Sequence, residues 1–189
     1  MYCRRHEDHH ERHGSYVKRS YTAGELGPYR KTAQKWLQAH EAERSVQLAI
    51  RAVEGLYRRA GPFVEAFRLR GMSPKDRARA AWARLREAKV DPLGPVIAWL
   101  AVELIVQADP QAERKVEFKR VQAAKLVHRM ASGSHKRWER ERPDRRSVVE
   151  ELHKYPHSRG QVLRHLGEQI ERAAELIVSA HLLTVISRR

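Results

Sequence analysis

The sequence predicts an all-α fold, a helical bundle of five to six helices behind a short N-terminal arm that is basic and histidine-rich. Three observations predict it. Apolar residues recur at steps of three and four along most of the chain, the spacing of one helix face. Gly and Pro punctuate the chain into those stretches. Alternation of β-branched with polar residues is nearly absent. With 189 residues, 41% of them hydrophobic, the chain is long enough for one good core, and its 32% charged residues make that core's surface polar.

The elements follow in order. Residues 1–27 form the arm: a short polar helix over 1–13, ended by Gly14, and then a loop in which YTAGELGPY supplies two glycines and a proline. The remainder, 28–189, is the bundle. Pro28 suits the first turn of a long helix that runs to about Ala60, where Gly61-Pro62 stops it. Val46, Ala49, Ile50, Val53, Leu56, Tyr57 and Ala60 give that helix its apolar stripe. FVEAFRLR then leads to Gly71.

Ser73-Pro74-Lys75-Asp76 is a helix start, with a serine cap, a proline in the first position and an acid in the first turn. The helix buries Ala78, Ala81, Trp82, Leu85 and Ala88, and its outer side is expected to carry Arg77, Arg79, Arg84 and Arg86 as a basic set. Asp91 caps the next helix, which is apolar nearly all round and therefore central. Asp109-Pro110 starts another, ending near Met130. Ala131-Ser132-Gly133-Ser134 breaks the chain before a flexible basic strand, HKRWERERPDRR. A last helix from about 158 to 186 carries Val162, Leu166, Ile170, Ala173, Ala174 and Ile177 on one stripe.

Charge is the strongest functional signal. Lys and Arg total 38 against 23 Asp and Glu, a formal net charge of +15. That excess repels itself in a compact state, so a polyanionic partner is expected, DNA or RNA first and an anionic membrane surface second. The segment 114–146 concentrates it, with twelve Lys or Arg against four acids, a local +8. The expected phosphate contacts are Arg114, Lys115, Lys119, Arg129, Lys136, Arg137, Arg140, Arg142, Arg145 and Arg146, with Trp138 among them to stack on an unpaired base. The competing account is an ordinary charged surface in which Glu139 and Glu141 pair with neighbouring arginines.

The opening MYCRRHEDHHERHG raises a metal question. Thiolate and imidazole are zinc's preferred ligands, and Cys3 and His6 have the C-x2-H spacing of a half-site. If the stretch is one helix, Cys3, His6, His10 and His13 share a face. Ten residues of helix nevertheless rise ~15 Å, whereas ligands to one zinc lie ~2 Å from it. A straight helix therefore offers two of the four. Either further ligands come from elsewhere, with His10 or His13 replacing a cysteine, or the histidines lie on a solvated arm.

The string CRRHEDHHERHGS resembles the second half of a small zinc-binding module found in phage and mobile-element proteins, two cysteines, a gap, then C-x2-H and a closing R-H-G. Cys3 and His6 match the second ligand pair, and Arg12-His13-Gly14 matches the closing turn. The following GSYVKRSYTAGELGPYRKTAQKWLQAHEAERSVQLAIRAVEGLYRR is similar to the region after that module in uncharacterised phage-type helical proteins. The first cysteine pair is absent. The expectation is therefore either a start upstream of Met1 that supplies an in-frame C-x(2–5)-C, or a lost site. The resemblance implies nucleic-acid association and zinc, and no reaction.

Other classes are excluded. One cysteine rules out a disulfide framework within the chain and suits a reducing, cytoplasmic compartment. PLGPVIAWLAVELIVQA carries Glu103 and is shorter than the ~20 residues of a membrane span. GELG and SGS lack the strand and the Lys-Ser/Thr of a phosphate-binding loop. His9-His10 lacks the strands and asparagine of a metal-dependent nuclease hairpin, and Glu150-Glu151 with His153 and His157 reads as a loop with cation-binding chemistry at most. AKVDPLGP is too long for the turn of a helix-turn-helix. No catalytic residue is assigned. The expected function is that of a phage or mobile-element accessory protein binding nucleic acid mainly through phosphates. The rival is a helical assembly protein whose long first and last helices pack against copies or a partner.

Overall fold

The computed structural model describes residues 3–141, 147–157 and 159–186. Among the described residues seven helices hold 63% of the positions, and a two-stranded antiparallel sheet accompanies them. The elements are α1 (Arg4–His13), α2 (Ala23–Ala39), α3 (Arg44–Arg59), α4 (Pro74–Glu87), α5 (Leu93–Ala108), α6 (Val116–His128), β1 (Ser134–Glu141), β2 (Ser147–Lys154) and α7 (Gln161–Ile186), with one 3-10 turn at Ala66–Arg68. The all-α expectation is thus corrected, and so is the helix count of five to six.

α5 is the axis of the core. Pro95, Val96 and every residue from Ala98 to Val106 are buried, and α2, α3, α6 and α7 all pack on it. Trp82, Trp99 and Phe118 are the largest fully buried side chains among the described residues. Trp82 donates its indole N–H to Gln169 on α7 at 2.6 Å, which satisfies the polar end of a large apolar ring. The stripe Val162, Leu166, Ile170, Ala173, Ala174 and Ile177 is buried along α7 as its periodicity demands. α6 and α7 approach closely at Gly167: a Cβ there would lie 2.7 Å from the Arg120 Cα and closer still to its carbonyl. No helix among the described residues is long and apolar enough to cross a membrane.

Four expected boundaries move, each for a local reason. The helix of 28–60 is two helices. α2 starts earlier, at Ala23, because Thr22 and Glu25 form a reciprocal capping box in which Thr22 accepts from the Glu25 N–H and Glu25 accepts from the Thr22 N–H at 2.6 Å. It ends at His40, whose ring stacks on Trp36 and donates to the Trp36 carbonyl at 2.7 Å. Asp109 starts no helix. It accepts from Lys18 at 2.7 Å and Tyr21 at 2.9 Å, so 109–115 is a loop that holds the N-terminal arm. α7 begins at Gln161 rather than 158.

The arm is folded onto the body. α1 ends in Gly14 at φ +73, and a Cβ there would lie 2.9 Å from the Glu117 carbonyl of α6. Gln122 of α6 donates to the His13 carbonyl and accepts from the Tyr21 N–H. Lys125 donates to Ser20 at 2.8 Å, and burial, assisted by Arg129 and Arg12, pushes its ammonium down to about 8.

The expected outer basic set on α4 is also corrected. Arg79 pairs with Asp76 at 3.0 Å, and Arg86 donates to the carbonyls of Tyr57 and Gly61 at the end of α3. Arg84 points inward and is 5% exposed.

Candidate functional site

The residues expected to meet phosphate divide into three groups. Arg114 and Lys115 are exposed just before α6, and Arg129 is exposed just after it. Thirteen residues of helix separate these ends by ~20 Å. Between them Lys119 turns toward α5, where it donates to both carboxylate oxygens of the buried Glu103 at 2.8 and 3.1 Å. Lys119 therefore serves the fold. The neighbouring Arg120 likewise binds Glu171 of α7 at 2.6 Å.

The third group sits on the sheet. HKRWERE is a strand, paired with SVVEELHK in the register Ser134↔Lys154 to Glu141↔Ser147. The ribbon is anchored at its base: Ser134, its one buried residue among those described, accepts from the Ala66 N–H at 2.7 Å. Lys136 and Lys154 lie over the Phe67 ring, and Tyr155 donates to the Ala131 carbonyl. Beyond that base both faces are exposed or half-buried.

Strand alternation places Lys136, Trp138 and Arg140 on one face with Leu152, Glu150 and Val148, and His135, Arg137 and Glu139 on the other with His153, Glu151 and Val149. Lys136 reaches Glu65 at 3.4 Å, Arg137 reaches Glu151 at 3.6 Å and Arg140 reaches Glu150 at 3.4 Å. These pairs are exposed, so each is worth ~0–1 kcal/mol and a phosphate can displace the carboxylate. Arg142, Arg145 and Arg146 lie outside the described residues.

The expected metal set is not gathered at one point. Cys3 Sγ and His6 Nδ1 are 3.2 Å apart at the exposed start of α1. Hydrogen bonds from the His6 backbone, then its side chain, hold the thiol below the usual cysteine range. His10 and His13 face the body instead. His10 stacks on Tyr16, donates to Glu117 at 3.3 Å and accepts from Arg164, which also pairs with Glu117. Glu117 is held below the usual carboxylate range: burial opposes ionisation, but Arg164 and His10 outweigh it. His13 Nδ1 accepts from the Ser20 N–H at 2.9 Å. Burial, then Lys125, pushes its imidazole down to about 4.

Among the described residues, one other group has metal-type donors close together. His135 and His153 face each other across the ribbon with rings stacked 4.0 Å apart, and Glu151 joins them, all donor atoms within 4.8 Å of one another. Two imidazoles and a carboxylate suit zinc with water as fourth ligand, once the donors close to the ~3.3 Å that ~2.0 Å bonds require. His135 was missed in sequence because its nearness to His153 depends on strand pairing.

No protein-family model, curated protein or solved structure matches this chain.

Proposed function

We propose that this protein binds nucleic acid through phosphate contacts, without catalysis, and that the β1–β2 ribbon is the main contact. The observation that carries the reading is the ribbon itself. Lys136, Arg137 and Arg140 stand on a two-stranded arm clear of the core, with Trp138 between them at 42% exposure, in a chain of net charge +15. A two-stranded ribbon has the width of the major groove of a duplex, and an aromatic among cations equally suits stacking on an unpaired base. Arg129 at the ribbon's foot extends the cationic path, and Arg114 and Lys115 offer a second, separate patch at the far end of α6. The resemblance of the N-terminal stretch to phage-type zinc modules supports the same reading, as an accessory protein of a phage or mobile element with Cys3 and His6 as half of a zinc site.

A second reading, assembly with copies of the chain or a protein partner, is favoured by the apolar residues on and beside the same ribbon. Trp138, Val149, Leu152 and Tyr155 are all exposed. Salt separates the two. Fluorescence anisotropy with labelled single-stranded and duplex oligonucleotides, at two salt concentrations and beside light scattering, is expected to give affinity that falls steeply with salt. Binding to no DNA or RNA at low salt, with salt-resistant self-association, would replace the first reading by the second.

A further inference from the structure

Beneath the foot of the ribbon, α4 sends two arginines into a cleft without an acid. Arg84 is nearly fully buried. Its Nη2 donates to the His128 carbonyl at 2.7 Å and its guanidinium lies 5.7 Å from the centre of the Tyr155 ring. Its Nε and Nη1 are buried with no partner among the described residues. Arg77, two turns earlier on the same helix face, has a buried Nε in the same condition. A buried cation normally keeps a carboxylate beside it, because desolvation without a counter-charge is costly. Here no counter-charge stands beside them among the described residues.

The space around these groups is shaped for one. A narrow inner cavity of about 10 Å³, room for a single water-sized atom, is lined by Arg77, Arg84, His128 and His157. It shares the wall of Leu69, Arg77, Pro156 and His157 with an outer cavity of about 260 Å³, which adds Arg70, Lys154 and Tyr155. Neither cavity is lined by an Asp or Glu. The local field is positive: burial first, then Arg84, Arg129 and Arg77, pushes the His128 imidazole down to about 3.

We propose that this cleft is a binding site for a phosphate-type oxyanion. Arg77 holds it where the two cavities meet, Arg84 takes one oxygen or a bridging water in the inner cavity, and Arg70 and Lys154 close the mouth. Four formal positive charges and no negative one favour a multiply charged tetrahedral anion over a lone carboxylate, and planar guanidinium forks match its oxygens. The site stands whether or not the ribbon binds nucleic acid.

The test uses the full chain at constant ionic strength, with potassium phosphate replacing chloride. Thermal unfolding and calorimetric titration are expected to give a melting temperature that rises with phosphate and a saturable heat. Arg77→Gln is expected to weaken that affinity about tenfold or more, the loss of a charge-assisted hydrogen bond, while Arg172→Gln, at an exposed α7 residue paired with Glu168 away from both cavities, leaves it unchanged. Because Arg77 packs beside the core, Arg70→Gln and Lys154→Gln at the mouth give the same comparison if Arg77→Gln does not fold.

The source of the phosphate follows from competition between inorganic phosphate and a short oligonucleotide. Displacement only by the 5′-phosphorylated form assigns a phosphate monoester, displacement by the 5′-hydroxyl form as well assigns the polymer backbone, and displacement by neither assigns a free small anion. A melting temperature equal in phosphate and chloride, or an affinity that the cleft substitutions do not alter, overturns the proposal.

Discussion

Replacing Lys136, Arg137 and Arg140 together by glutamine removes three of the ribbon's cations while keeping the length of each side chain close to native. Their present partners, Glu65, Glu151 and Glu150, are half-exposed carboxylates, and each pair contributes ~0–1 kcal/mol. The fold should therefore survive, with an unchanged melting temperature as control. Each phosphate neutralised on a duplex adds ~0.9 to the slope of log affinity against log salt, so the triple variant should lose up to ~2.7 from that slope. Over a fourfold change in salt the variant's affinity then falls ~40-fold less than that of the native chain. Trp138→Ala behaves differently. It is expected to lose ~1–3 kcal/mol on single strands at every salt concentration, because stacking involves no counterion. Anisotropy titrations at four salt concentrations measure both quantities. A triple variant whose slope equals that of the native chain refutes the placement of the phosphate contacts on the ribbon.

Further outcomes follow from the fold. Gly167→Ala is expected to lose ~1–3 kcal/mol in denaturant melts, because its Cβ meets backbone of α6 rather than a movable side chain; unchanged stability would show that the helices can part freely. Lys119→Met should cost ~3–5 kcal/mol by leaving the buried Glu103 charge alone, and Lys119→Met with Glu103→Leu should recover much of it. Stability should fall as pH drops below ~6.5, by up to ~1.4 kcal/mol per pH unit from His128. Its folded pKa is depressed to about 3, so its contribution is complete above the unfolded value and drains away between the two. His128→Phe should flatten that limb of the pH profile, and an identical limb refutes the assignment. Zinc, read with cobalt as a coloured substitute, should be held at His135, Glu151 and His153, whose donor atoms lie within 4.8 Å of one another. His153→Asn then abolishes the signal and Cys3→Ser does not; the reverse pattern assigns the metal to the N-terminal half-site.

Where the sequence misled, the cause was distance along the chain. Ser73 and Asp76 announced α4, because a cap acts within one turn, whereas the same signal from Thr22 and Glu25 was missed because YTAGELGPY, with two glycines and a proline, reads as a loop. HKRWERE has no period-two pattern because both faces of the ribbon are open, so no apolar side had to be encoded. Its strand character comes from pairing with 147–154.

What the sequence by itself determined is that the chain is mainly helical and which stripes of α3 and α7 face the core, since a repeat of 3.6 residues is written in neighbouring positions. The large positive excess was equally plain, because charge adds without regard to shape. Only the tertiary structure decided which cations remain available. Lys119 and Lys136 look alike in sequence, yet one meets Glu103 in the core and the other stands on the ribbon. Arg84 looked like a surface residue among arginines and is instead buried beside His128. Burial and pairing are properties of groups brought together from distant parts of the chain, and no local pattern specifies them.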